Sequence, residues 1–144
     1  MEVQFTFGPA KKISGTVSLK KMIASLLHSF QPAAVKKKSF FINDVPPGFI
    51  LHVNKNMLAA VISELLSSVI HKTNNSCIHI TAKRYSDIIL FRLKDSQAGN
   101  TVFEYNWRQI DPLVERLGGC ITTHEAEKNS SIITLSFRNL ANVA

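Results

Sequence analysis

Met57, Leu58, Val61, Ile62, Leu65, Leu66, Val69 and Ile70 recur at helical spacing through the segment Asn54 to Thr73. Apolar residues at i, i+1, i+4, i+5 and onward make a stripe too wide for a single neighbouring helix to cover. A helix of this kind has to lie on a sheet, and the rest of the chain must supply one.

The strands are readable on both sides of it. Cys77 to Tyr85 alternates Ile78, Ile80 and Ala82 with His79, Thr81 and Lys83, as a half-exposed strand does, and Ser86-Asp87 turns it into a second strand, Ile88 to Asp95. The tight connection predicts an antiparallel hairpin. A second, closing hairpin is expected from Cys120 to Glu125 and Ser131 to Phe137, joined around Ala126 to Ser130. Between the hairpins, Asp111-Pro112 suits the cap and first turn of a helix running mainly to Leu117, and Gly118-Gly119 supplies its left-handed stop. Ser96 to Asn100 reads as a loop.

Upstream, Leu19, Met22, Ile23, Leu26, Leu27 and Phe30 predict an amphipathic helix within residues 18 to 38, with Ser18 as N-cap. Pro32 should end or kink it, although Ala33, Ala34 and Val35 allow a further turn before Lys36-Lys37-Lys38. Ser39 to Asp44 and Phe49 to Val53 read as short strands around a Val45-Pro46-Pro47-Gly48 turn, which suggests a small hairpin or meander. The order of elements implies an α+β fold: a two-layer sandwich with a mixed sheet and helices on one face. Residues 1–16 are expected to be an N-terminal extension and residues 17–140 one domain.

Bulk properties narrow the function classes. With 144 residues and 45% hydrophobic content the chain can bury one ordinary core without disulfides or metal. The N-terminus lacks the basic start and apolar run of a signal peptide, and no apolar stretch approaches the roughly 18 residues of a membrane span, so a soluble, cytoplasmic protein is expected. Cys77 and Cys120 are far apart and read as buried or half-buried strand thiols. None of His28, His52, His71, His79 and His124 has ligand or triad spacing to another, and no catalytic histidine or metal site is assigned. The formal charge of +7 favours anionic partners without choosing among them.

The order of elements, with a Gly-Gly-bounded helix before a final hairpin, resembles the ATP-binding domain of sensor histidine kinases and the wider gyrase, chaperone and mismatch-repair ATPase superfamily. The likeness runs from about Thr16 to Phe137, including Val17 to Ile23 and Lys38 to Asn54. In these kinases the N-box reads roughly Asn-Leu-Leu-x-Asn-Ala, and its second Asn holds the magnesium that bridges the ATP phosphates. This chain has Glu64-Leu65-Leu66-Ser67-Ser68-Val69. The resemblance makes Glu64 either a water-polarising carboxylate or an exposed helix residue, and puts Ser68 in place of the magnesium ligand. The family's Asp-x-Gly-x-Gly becomes Asp95-Ser96-Gln97-Ala98-Gly99, which keeps the adenine-binding Asp and the second glycine. Asp95 also suits a strand-ending turn.

The family then places a long lid and a Gly-Leu-Gly-Leu turn, whereas this chain has only Asn100 to Trp107, with Glu104-Tyr105-Asn106-Trp107 at the glycine turn. Bulky and acidic residues oppose phosphate binding at a helix N-terminus. The phosphoacceptor motif of the kinases is absent, since His28-Ser29-Phe30-Gln31-Pro32 lacks its acidic neighbour and spacing.

The resemblance thus implies a degenerate, non-catalytic kinase-like domain in signal transduction, working by protein interaction or self-association. Asp95, Gly99, Glu64 and Ser68 would mark a vestigial nucleotide pocket. Phe103, Tyr105 and Trp107 would form either a contact patch or the filling of that pocket. Expected partners are a response regulator, a kinase or a second copy, with no membrane and no cofactor. Two alternatives remain: an ATP-binding kinase domain using ATP and magnesium, and a nucleic-acid-binding module using the basic surface.

Overall fold

The computed structural model describes residues 16–96, 107–126 and 130–139. Ten elements follow in chain order: β1 (Val17–Ser18), α1 (Leu19–Lys36), β2 (Phe40–Asn43), β3 (Ile50–Leu51), α2 (Lys55–Lys72), β4 (Cys77–Tyr85), β5 (Ile88–Asp95), α3 (Asp111–Arg116), β6 (Cys120–Ala126) and β7 (Ser130–Arg138). Five strands form a mixed sheet in the order β2-β4-β5-β7-β6, with β2 parallel to β4 and the other pairs antiparallel. The helices lie over one face of this sheet, giving the α+β architecture expected from the sequence.

The wide stripe on α2 explains that architecture. All eight of its apolar residues from Met57 to Ile70 are buried. They share one core with Ile78 and Ile80 of β4, Ile89, Phe91 and Leu93 of β5, and Ile133, Leu135 and Phe137 of β7. Each such side chain contributes about 1.5–3 kcal/mol on burial, so α2 is fixed by tertiary packing more than by helix propensity. Asn54 caps it, its side-chain oxygen accepting from the Met57 N–H at 3.1 Å. Ser18 caps α1 in the same way, accepting from the Lys21 N–H at 3.3 Å.

One expectation about the first half is corrected, and an open one is decided. The short strands β2 and β3 do not form a hairpin with each other: β2 runs beside β4, Phe40 opposite Cys77, while β3 pairs with β1 through Val17↔Leu51 and Ser18↔Ile50. Val45, fully buried, anchors the connection between them, and the Pro46–Phe49 turn redirects the chain. Lys20 holds β2 in place as well, its ammonium donating to the carbonyls of Asn43 and Val45 at 2.9 Å each. Pro32 does not end α1, which continues to Lys36. Burial of Ala34 and the Lys37 N–H, which donates to the carbonyls of Ala33 and Ala34, hold the last turn despite the lost amide.

The glycine pair after α3 divides its labour. Gly118 adopts φ +72°, the left-handed stop anticipated for this helix. Gly119 is required by proximity, since a Cβ there would stand 2.0 Å from the carbonyl oxygen of Ser136 on β7.

Candidate functional site

The residues singled out above that the structure describes lie on the C-terminal half of α2 and at the end of β5. Glu64 and Ser68 sit four residues apart on α2 and therefore on one face; Glu64 is exposed and Ser68 half-buried. Asp95 ends β5 opposite Ile78 and is only 3% exposed. It is therefore a buried carboxylate at the end of its strand. The hydroxyl of Ser76, equally buried, donates to it.

A relay of hydrogen bonds extends from that pair. The Ser76 N–H donates to the Ser39 hydroxyl at 3.0 Å, and Ser39 in turn donates to the carbonyl of Lys37 at 3.0 Å. Lys37 reaches back across the same corner, its ammonium donating to the His71 carbonyl at 2.9 Å near the end of α2. Asp95 is thus tied through buried serines to the C-terminus of α1. Burying a carboxylate is costly without such donors, which is why three polar side chains, Ser39, Ser76 and Asp95, are buried together here. Sequence reasoning missed both serines, because a serine in a turn carries no signal of burial.

Cys77 lies beside this corner, half-buried, and its thiol pKa is raised by burial and secondarily by the charge of Asp95. Ser96 donates to the Cys77 carbonyl from both its N–H and its hydroxyl, at 3.2 Å each, which closes the end of the β4–β5 ladder. Cys120, expected to be at least half-buried, is exposed, because it stands on the edge strand β6 and points away from the helices.

Trp107 is half-buried and packs against the core; its carbonyl accepts from the N–H groups of Ile110 and Asp111 and so starts the turn into α3. Gly99, Phe103 and Tyr105 lie outside the described residues. The histidines stay dispersed: His79 contacts Asp44 at 3.1 Å on the surface, and His71 contacts its own helix at the Ser67 carbonyl. Among the described residues no group of three or more His, Cys, Asp or Glu could hold a metal ion. A cleft of about 510 Å³ opens between Ser18, Lys21 and Met22 of the α1 end and Lys55 and Ala59 of α2, at the end of α2 remote from Asp95.

No family model matches the chain, and no curated protein sequence matches it. Solved structures do. The Acinetobacter baumannii histidine kinase AdeS superposes with a TM-score of 0.76 at 13% identity, over 90% of this chain and 69% of that one. The nucleotide-free catalytic domain of histidine kinase ThkA gives 0.71 at 15% identity, over 87% of this chain and 95% of that domain. Full-length ShkA in complex with AMPPNP gives 0.74 at 11% identity, over 92% of this chain and 33% of the kinase. Sequence identity this low carries the backbone arrangement and nothing finer. The chain has the histidine-kinase type of ATPase fold.

Proposed function

We propose that this chain is a kinase-like signal-transduction domain that has lost ATP turnover and works by binding another protein. The observation that carries the reading is Ser68. By the resemblance of Glu64–Val69 to the N-box, it would replace the magnesium ligand of the kinases. A hydroxyl is a poor anchor for a cation that demands near-ideal octahedral oxygens and usually takes carboxylates and phosphates. ATP and magnesium therefore do not fit the residues present. The buried Asp95, engaged by Ser76, is consistent with a polar group that serves the scaffold.

A protein partner follows from the fold's use elsewhere: ThkA, which this chain matches with a TM-score of 0.68 over 41% of that chain, is seen in complex with the response regulator TrrA. By the same reading the partner here is a response regulator, another kinase or a second copy, and the segment containing Phe103, Tyr105 and Trp107 is where it would dock. The test is incubation of the purified chain with γ-labelled ATP and magnesium, followed by release of labelled phosphate. Background release supports the proposal, and turnover that disappears in Asp95→Asn sinks it.

A further inference from the structure

Among the described residues nothing covers the face of the sheet turned away from the helices, and its chemistry is uneven. Lys83 and Tyr85 on β4, Arg92 and Lys94 on β5, Phe40 on β2 and Arg138 on β7 all point to this side, and the register aligns its residues in rows such as Ile42–His79–Lys94–Ile132–His124. No strand position on this face is Asp or Glu, and the acids that reach it lie in its flanking turns: Asp44 meets His79 at 3.1 Å and Asp87 pairs with Arg138 at 3.2 Å. The cations form a band across the middle: Lys83 is diagonal to Arg92, and Lys94 lies two residues further along β5. Lys83 and Lys94 are exposed, and the Nε of the half-buried Arg92 has no hydrogen-bond partner among the described residues. Two aromatic rings flank the band. Phe40 and Tyr85 are each 56% exposed, and Ile42 is 42% exposed. Phe40 pairs with Cys77, so the rings are separated by the length of β4, roughly 26 Å at about 3.3 Å per residue.

A solvated sheet face normally alternates charges of both signs with small polar residues and does not expose rings. A central band of positive charge recruits phosphates, and exposed rings on an open sheet stack bases, the combination by which sheet surfaces hold unpaired strands. An acidic protein surface would be met by the charge alone and leaves the rings without a role. We propose that this outer face binds single-stranded nucleic acid, with Lys83, Arg92 and Lys94 against phosphates and Phe40 and Tyr85 beneath bases. The site is on the opposite side of the sheet from Asp95 and α2, so it stands or falls separately from the kinase-like reading.

The test is fluorescence anisotropy of the full chain with a labelled oligouridine of about 12 nucleotides, within the usual size of such sites. Oligothymidine, a DNA duplex and a polyglutamate peptide serve as further arms. Binding of either single strand is expected, with log K falling against log salt at a slope of about −2, from three cations at about −0.7 each. Lys83→Gln/Lys94→Gln should weaken binding at least about tenfold and flatten that slope by about 1.4. Phe40→Ala and Tyr85→Ala, at exposed positions the fold does not need, should each weaken it by about tenfold with the slope unchanged. Lys36→Gln/Lys38→Gln, which removes the same charge from the end of α1, should change neither.

Absence of binding to both single strands would overturn the proposal. So would equal loss in the Lys36/Lys38 pair, tighter binding of the duplex, or stronger capture of polyglutamate, which would make the face a dock for acidic protein.

Discussion

The Ser76 hydroxyl donates to the Asp95 carboxylate inside the corner where α1, α2, β4 and β5 meet, with both residues only 3% exposed. The pair joins the turn after α2 to the end of β5, two segments that are remote in sequence and adjacent in the sheet. Ser76→Ala takes a donor from a buried carboxylate and should cost about 1–3 kcal/mol in urea unfolding. Glu64→Gln, at an exposed position on α2, should stay within about 0.5 kcal/mol. Equal effects would contradict the structural role assigned to Asp95.

The same carboxylate adds to the effect of burial on Cys77. Its thiol pKa is raised by burial first and by the Asp95 charge second, so at a given pH it holds less thiolate than an ordinary cysteine. Iodoacetamide near pH 8 should therefore modify exposed Cys120 before Cys77, with the gap narrowing as pH rises. Asp95→Asn removes a negative neighbour and lowers the Cys77 pKa, so its alkylation should speed up at fixed pH while that of Cys120 does not. Peptide mapping by mass spectrometry reads both rates, and an unchanged Cys77 rate would refute the coupling.

The two glycines after α3 predict an order of damage. Gly118→Ala leaves its Cβ in ordinary contact with the Arg138 side chain, nearest atom 3.4 Å, and bears mainly the left-handed backbone cost of about 1–2 kcal/mol. Gly119→Ala drives a Cβ to within 2.0 Å of the Ser136 carbonyl, which must move with β7, for about 3 kcal/mol or more. Thermal melts of the two variants should therefore rank Gly119→Ala as the less stable. The reverse order would mean that β6 and β7 are not held this closely.

Periodicity made the second half of the chain legible. The stripe from Met57 to Ile70, the alternation in β4 and β5 and the Gly118 stop each follow from a local rule, and each element stands where the rule puts it. The first half was less legible because its order is set at a distance. A two-residue strand such as β1 has no pattern of its own, and β2 joins β4 across the whole of α2. Pro32 left two outcomes open in the sequence, a stop or a further turn through Ala33 to Val35, and the burial of Ala34 decides for the turn. At the candidate site the sequence named Asp95, Glu64 and Ser68 by resemblance. The relay through Ser39 and Ser76 depends on burial, which no spacing encodes.

The outer sheet face and the Asp95 corner ask separate questions, and the central one is whether a kinase-type fold with Ser68 on α2 still takes nucleotide. Calorimetric titration of the full chain with AMPPNP and magnesium, paired with a thermal melt at millimolar nucleotide, answers it. A ligand at about 100 times its Kd must stabilise the folded state by about 2.7 kcal/mol. The account predicts no heat of binding and no rise in Tm; a saturable isotherm with a higher Tm, both lost in Asp95→Asn, would contradict it.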